Sequence, residues 1–156
     1  MDLYGLVKAV HIVGAAVLLG TGAGIAFFML MAHRTRQPVL IAHTAGIVVL
    51  ADFVFTTSAV IAQPVTGAVL AHLAGLPLST GWVATSLALY VVTGLCWLPV
   101  VWIQMRLRRL AQAAVEAGQP LPLAYDRLFR IWFLLGFPAF AAVLGIVWLM
   151  VVKPAF

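Results

Sequence analysis

His11 follows Lys8 by three residues inside the apolar stretch Tyr4-Gly-Leu-Val-Lys8-Ala-Val-His11-Ile-Val-Gly14. On a helix that spacing puts both side chains on one face, with Lys8 one turn nearer the chain start. An ionisable side chain at membrane depth is costly and marks a partner, a cofactor or a pathway. A neutral imidazole in a low-dielectric setting is a natural iron ligand. The chemistry expected of the pair is haem binding, with His11 on the iron and Lys8 beside outward-pointing propionates. The alternative is a histidine that hydrogen-bonds between helices.

The other histidines are sorted by depth. About seven residues separate Tyr4 from His11, roughly 10 Å at 1.5 Å per residue. His33 and His43 fall at the opposite end of their helices, too far to share one iron across a ~30 Å hydrocarbon core. His72 is the histidine expected level with His11 and so the expected second ligand, with Met150 the weaker thioether candidate. Lys153 is the other basic residue near that side and the second expected propionate partner.

Asp52 is the sole carboxylate within an apolar span. Asp52, Thr56, Ala59 and Gln63 form one polar or small stripe at helical spacing. Such a stripe faces the bundle, with Asp52 either a proton acceptor or a neutral acid bonded to a neighbouring helix. Ser86, Tyr90, Thr93 and Trp97 trace a second face, suited to interhelical bonding or to a cofactor wall. Ala16, Gly20 and Gly24 make a small-residue row for close approach of a helix or a flat cofactor. Gly20-Thr-Gly-Ala-Gly24 is not a nucleotide loop, because neither a strand nor a phosphate-binding turn precedes it. The lone Cys96 excludes an intrachain disulfide and a cysteine metal motif.

These residues need elements to hold them, and composition names the elements. The 156 residues are 65% hydrophobic and 8% charged, against about 25% charged in soluble domains. Lipid is therefore the principal solvent. The apolar blocks 4–31, 39–63, 81–104 and 131–152 are each long and continuous enough to be spanning helices, not barrel strands. The third is expected to continue to Ala117, stopped by Gly118 and Pro120. The expectation is an all-α integral membrane four-helix bundle in one domain, 1–156.

The net charge of +5 does not indicate nucleic acid. Seven of the nine basic residues lie in two connections, as Arg34 and Arg36, then Arg106, Arg108, Arg109, Arg127 and Arg130. That is the pattern of topology signals, and it puts both termini outside. The connection Pro64–Thr80 has no Lys or Arg. It is apolar and broken by proline and glycine, so an interfacial or re-entrant segment is expected between helices 2 and 3. The first span runs beyond a secretory h-region and is expected to be retained.

Tyr4-x-x-x-Lys8-Ala-x-His11, Gly81-Trp82, Phe129-Arg130-x-Trp132-Phe133 and the closing Val151-Val-Lys-Pro154-Ala-Phe156 resemble the landmarks of the HemJ-type protoporphyrinogen oxidases. Those are small bacterial membrane proteins that bind b-type haem. Gln63-Pro64-x-Thr66-Gly67, Trp97-Leu-Pro99-Val-x-Trp102 and Gly136-Phe-Pro138-Ala-Phe140 resemble more closely a bacterial family of predicted integral membrane proteins with no assigned function. The oxidase resemblance implies haem on the Lys8–His11 side. It lapses where the oxidases carry polar groups in the third span, for here Val83-Ala-Thr85-Ser86 and Leu95-Cys96 stand.

The resulting expectation is a b-type haem protein of the bacterial inner membrane, moving electrons to or from a quinone or a redox protein. The alternatives are an oxidase of a tetrapyrrole-like substrate and a non-catalytic membrane subunit or assembly factor. A homodimer is compatible with the chain, and no nucleic-acid partner is expected.

Overall fold

In a computed structural model, which describes residues 2–155, the chain is almost entirely helical. Phe156, which ends the closing motif, lies outside the described residues. Among the described residues there are four helices, α1 (Leu3–Thr35), α2 (Pro38–Leu73), α3 (Gly81–Glu116) and α4 (Leu123–Val152), all long and apolar enough to cross a membrane.

Each helix exceeds the apolar block that marks it, because hydropathy reports membrane depth and capping decides where a helix stops. The Asp2 side chain accepts from the Gly5 N–H at 2.9 Å and starts α1. Arg36, at φ 57°, ends it in the left-handed region, its N–H donating to the His33 carbonyl. Gly118, at φ 61°, follows α3, and Gln119 N–H closes the turn on the Ala114 carbonyl at 2.9 Å, as expected of a glycine-terminated helix. α4 begins eight residues before the predicted span, immediately after Pro122, where a proline cap costs no helical bond.

The segment expected to be interfacial or re-entrant is, up to Leu73, a continuation of α2. Pro64 sits inside that helix. A proline there leaves the carbonyl four residues back without its helical donor. That carbonyl belongs to Val60, and the Tyr90 hydroxyl of α3 donates to it. Re-satisfaction by a neighbouring helix is what permits proline in a membrane helix.

Residues Asp52–Thr56 of α2 form a π turn. Its extra residue rotates the second half of α2 relative to the first. The stretch Pro38–Ala51 accordingly packs mainly on α3, and Thr57–Leu73 mainly on α1. The large core lies at the arginine-bearing end, where Met29, Ile41, Leu107, Tyr125, Phe129 and Trp132 interlock. Toward the arginine-free end the helices pair off, α1 with Thr57–Leu73 of α2 and α3 with α4. Leu89 fits against Gly145, where an added Cβ would stand 3.1 Å from its side chain.

Arg36 grips Asp126 with two bonds, 2.5 and 3.1 Å, joining the end of α1 to the start of α4. The adjacent carboxylate holds the guanidinium firmly in its charged form. Arg36 is half-exposed, so the pair is screened. A double-mutant cycle with Arg36→Ala and Asp126→Ala, read by unfolding in detergent, should give a coupling of about 0.2–1 kcal/mol that shrinks in high salt. A coupling that rises with salt would contradict a screened ion pair.

Candidate functional site

Two polar sites interrupt the apolar bundle. The first lies at the arginine-free end, between α1 and α2, around His11. His11 Nδ1 stands 2.7 Å from Thr66 Oγ1. The Thr66 hydroxyl has already donated its proton to the Ala62 carbonyl at 2.7 Å, so its oxygen is left to accept. This network assigns the imidazole proton to Nδ1 and leaves the lone pair on Nε2. Nε2 has no hydrogen-bond partner among the described residues. One helix over, Gln63 Nε2 donates to the His11 carbonyl at 2.8 Å. Glycines make room for these bonds: a Cβ at Gly67 would lie 3.3 Å from His11 Cε1, and one at Gly14 would strike the Gln63 amide.

Lys8 is exposed, its amine 5.9 Å from the centre of the Tyr4 ring. Lys153 is also exposed and holds its amine 5.7 Å from the centre of the Trp82 ring. Both lysines are thus at the arginine-free end, and cation–π contact with an aromatic ring steadies each. His72 is exposed. It comes nine residues after Gln63, two and a half turns at 3.6 residues per turn, so it sits on the face of α2 opposite His11. The structure does not bring the two histidines together. Among the described residues no group of three or more His, Cys, Asp or Glu could hold a metal ion.

Gly20, Gly22 and Gly24 meet nothing within 4 Å of an added Cβ. The small-residue row is therefore not spent on a close approach within the chain. His33, at the other end of α1, stacks flat on Phe129 at 3.7 Å and approaches the Tyr125 hydroxyl at 3.4 Å. It is a packing residue, and nothing in its spacing from Arg34 and Arg36 announces those aromatic partners.

The second site is Asp52, buried at 3% exposure in the π turn. Trp97 Nε1 of α3 points at Asp52 Oδ1 from 3.5 Å. Thr56 and Gln104 face the same carboxyl. The sequence does not announce Trp97 and Gln104 as neighbours of Asp52, although the stripe Asp52–Thr56 identifies the face that meets them.

Clefts on the α2–α3 seam lie between this site and the arginine-bearing end. One, of about 380 Å³, is lined by His43, Gly46, Leu50, Arg108 and Gln112, among others. A second, of about 170 Å³, shares Arg108 and Gln112 and adds Val49, Met105 and Arg109.

No curated protein and no solved structure matches the chain. One family model does, over residues 5–154, described as "Predicted integral membrane protein (DUF2269)". Helices with spanning length, lipid-like exposure and polar groups gathered between them agree with that description over nearly the whole chain, which belongs to this family of predicted integral membrane proteins.

Proposed function

We propose that the protein is a b-type haem protein of the bacterial inner membrane, in which His11 Nε2 would hold the iron. The observation that carries this reading is the bond from His11 Nδ1 to Thr66. Iron-ligating histidines are oriented by a hydrogen bond from the other ring nitrogen. Here that bond fixes the tautomer and leaves Nε2 free to coordinate.

The surroundings fit the group in two respects. The donor is a neutral imidazole, suited to iron. Lys8 and Lys153 are two exposed amines at the same end of the bundle, available to propionates. His72 faces away from His11 and would not hold the same iron. Bound there, haem would supply reversible one-electron chemistry. The chain's own part is to aim His11, to neutralise carboxylates with lysines and to keep the outer half of the α1–α2 seam closed through Gln63. A quinone or a redox protein is the matching electron partner.

Protein purified in detergent from a haem-sufficient host should show a Soret band. His11→Ala should lose it, and Thr66→Val should keep haem with a shifted spectrum or weaker retention, since partners of a ligating histidine are worth about 10–100-fold in affinity. Colourless, iron-free wild-type protein would overturn the reading. It would favour a non-catalytic membrane subunit, for which the open glycine row is a seat for a partner helix.

A further inference from the structure

We propose that Asp52 is a buried proton-binding site, holding one exchangeable proton as a neutral carboxylic acid and reached from the arginine-bearing end along the α2–α3 seam. The site is separate from His11 and does not depend on haem.

The first support is the state of the polar atoms. Asp52 Oδ2, Thr56 Oγ1, both amide atoms of Gln104 and Trp132 Nε1 are buried without a hydrogen-bond partner among the described residues. Asp52 and Gln104 are only 3% and 1% exposed. Native proteins leave few such atoms unpaired, and clusters of them mark bound water or a functional role. Thr56 and Gln104 set theirs around one intramembrane carboxyl, on a π turn, which makes a site and not an accident of packing.

The second support is charge. Asp52 forms no ion pair among the described residues, where Arg36 with Asp126 is the one salt bridge. An isolated buried carboxylate is far costlier than its neutral acid, so such a group takes up a proton. The donors and acceptors also specify the occupant. A hard cation such as Ca²⁺ or Mg²⁺ needs a shell of oxygens. Asp52 instead faces the N–H groups of Trp97 and the Gln104 amide, which repel a cation and suit the carbonyl of a protonated acid. The Gln104 amide oxygen and the Thr56 hydroxyl can accept the acid proton. Water fits the same mixture of donors and acceptors.

The third support is access. The clefts on the α2–α3 seam are lined by His43, Arg108, Arg109 and Gln112 and, nearer Asp52 along the two helices, by Val49 and Met105. Val49 precedes Asp52 by less than a turn and lies on the same side of α2, and Met105 follows Gln104 in the chain. His43, Arg108 and Arg109 are the charged or titratable groups facing this route. Trp97 and Gln104, which approach Asp52 from α3, do not titrate.

The test is infrared spectroscopy of the full chain in detergent or lipid at neutral pH. The chain has three aspartates, Asp2, Asp52 and Asp126, so protein carrying carbon-13 in the aspartate side-chain carboxyl reports on each without a substitution. The expected result is one carboxylic-acid C=O band, shifted to lower frequency in D₂O, beside two carboxylate bands. Asp52→Asn should lose that acid band alone. Gly46→Leu, which fills the cleft beside Arg108, should slow its exchange into D₂O. Three carboxylates in the wild type would overturn the proposal. So would an acid band that survives in Asp52→Asn, or one whose exchange ignores Gly46→Leu.

Discussion

Tyr125→Ala should destabilise the folded bundle by about 3–5 kcal/mol, the range for truncating a fully buried aromatic side chain. Tyr125 is wholly buried. Its ring stacks near His33 at 5.7 Å and near Phe129 at 6.2 Å, within the core that joins α1, α2, α3 and α4 at the arginine-bearing end. Lipid is as apolar as the core, so the loss comes mainly through packing: the atoms lining the void lose their dispersion partners. Tyr125→Phe keeps the ring and removes the contact with His33 Nδ1, so it should cost about 0.5–1.5 kcal/mol. Denaturation in one detergent at fixed protein concentration measures both. If Tyr125→Ala unfolds with the wild type, the arginine-bearing end is not the structural anchor of the bundle.

That anchor is poorly legible in the sequence, and the reason is physical. In a soluble helix, polarity reveals the buried face. In a membrane helix both faces are apolar, so Phe27, exposed to lipid, and Met29, wholly buried, look alike. The number of helices and their order are legible because they depend on apolar length alone. So is the stop at Gly118, which depends on a local left-handed turn. The π turn at Asp52–Thr56 is not, since no residue type demands it. Its consequence, that α2 turns from α3 to α1 midway, is equally hidden. Depth arithmetic expects His72 level with His11, but α2 runs on through Pro64, so Thr66 and Gly67 are level with His11 and His72 lies roughly 8 Å further along the helix as well as on another face. Thr66 and Gln63, by contrast, stand in a motif whose polar and small residues interrupt an apolar helix, a signal that something must face them.

Gly67→Leu should open the arginine-free half of the α1–α2 seam while leaving the opposite core intact. At Gly67 an added Cβ alone would press within 3.3 Å of His11 Cε1, tighter than ordinary contact. A leucine adds three further carbons in the same direction. Overpacking of this kind costs about 1–3 kcal/mol. Here it also pushes His11 from Thr66 and strips Gln63 of its bond to the His11 carbonyl, each worth about 0.5–1.5 kcal/mol. Together these terms remove the polar contacts that hold the seam locally, so the expected result is faster amide exchange in the first half of α1 and in Thr57–Leu73 of α2. Exchange around Met29, Leu107 and Tyr125 should stay slow. Gly20→Leu is the matched control, because its side chain meets nothing within 4 Å and should leave exchange along α1 unchanged or slower. If His11 ligates iron, Gly67→Leu should also lose haem, since the ligand's orientation depends on the bond that the leucine breaks. Slow exchange throughout α1 in Gly67→Leu would show that the His11–Thr66–Gln63 contacts do not hold the seam, and the oriented imidazole on which the haem reading rests would go with them.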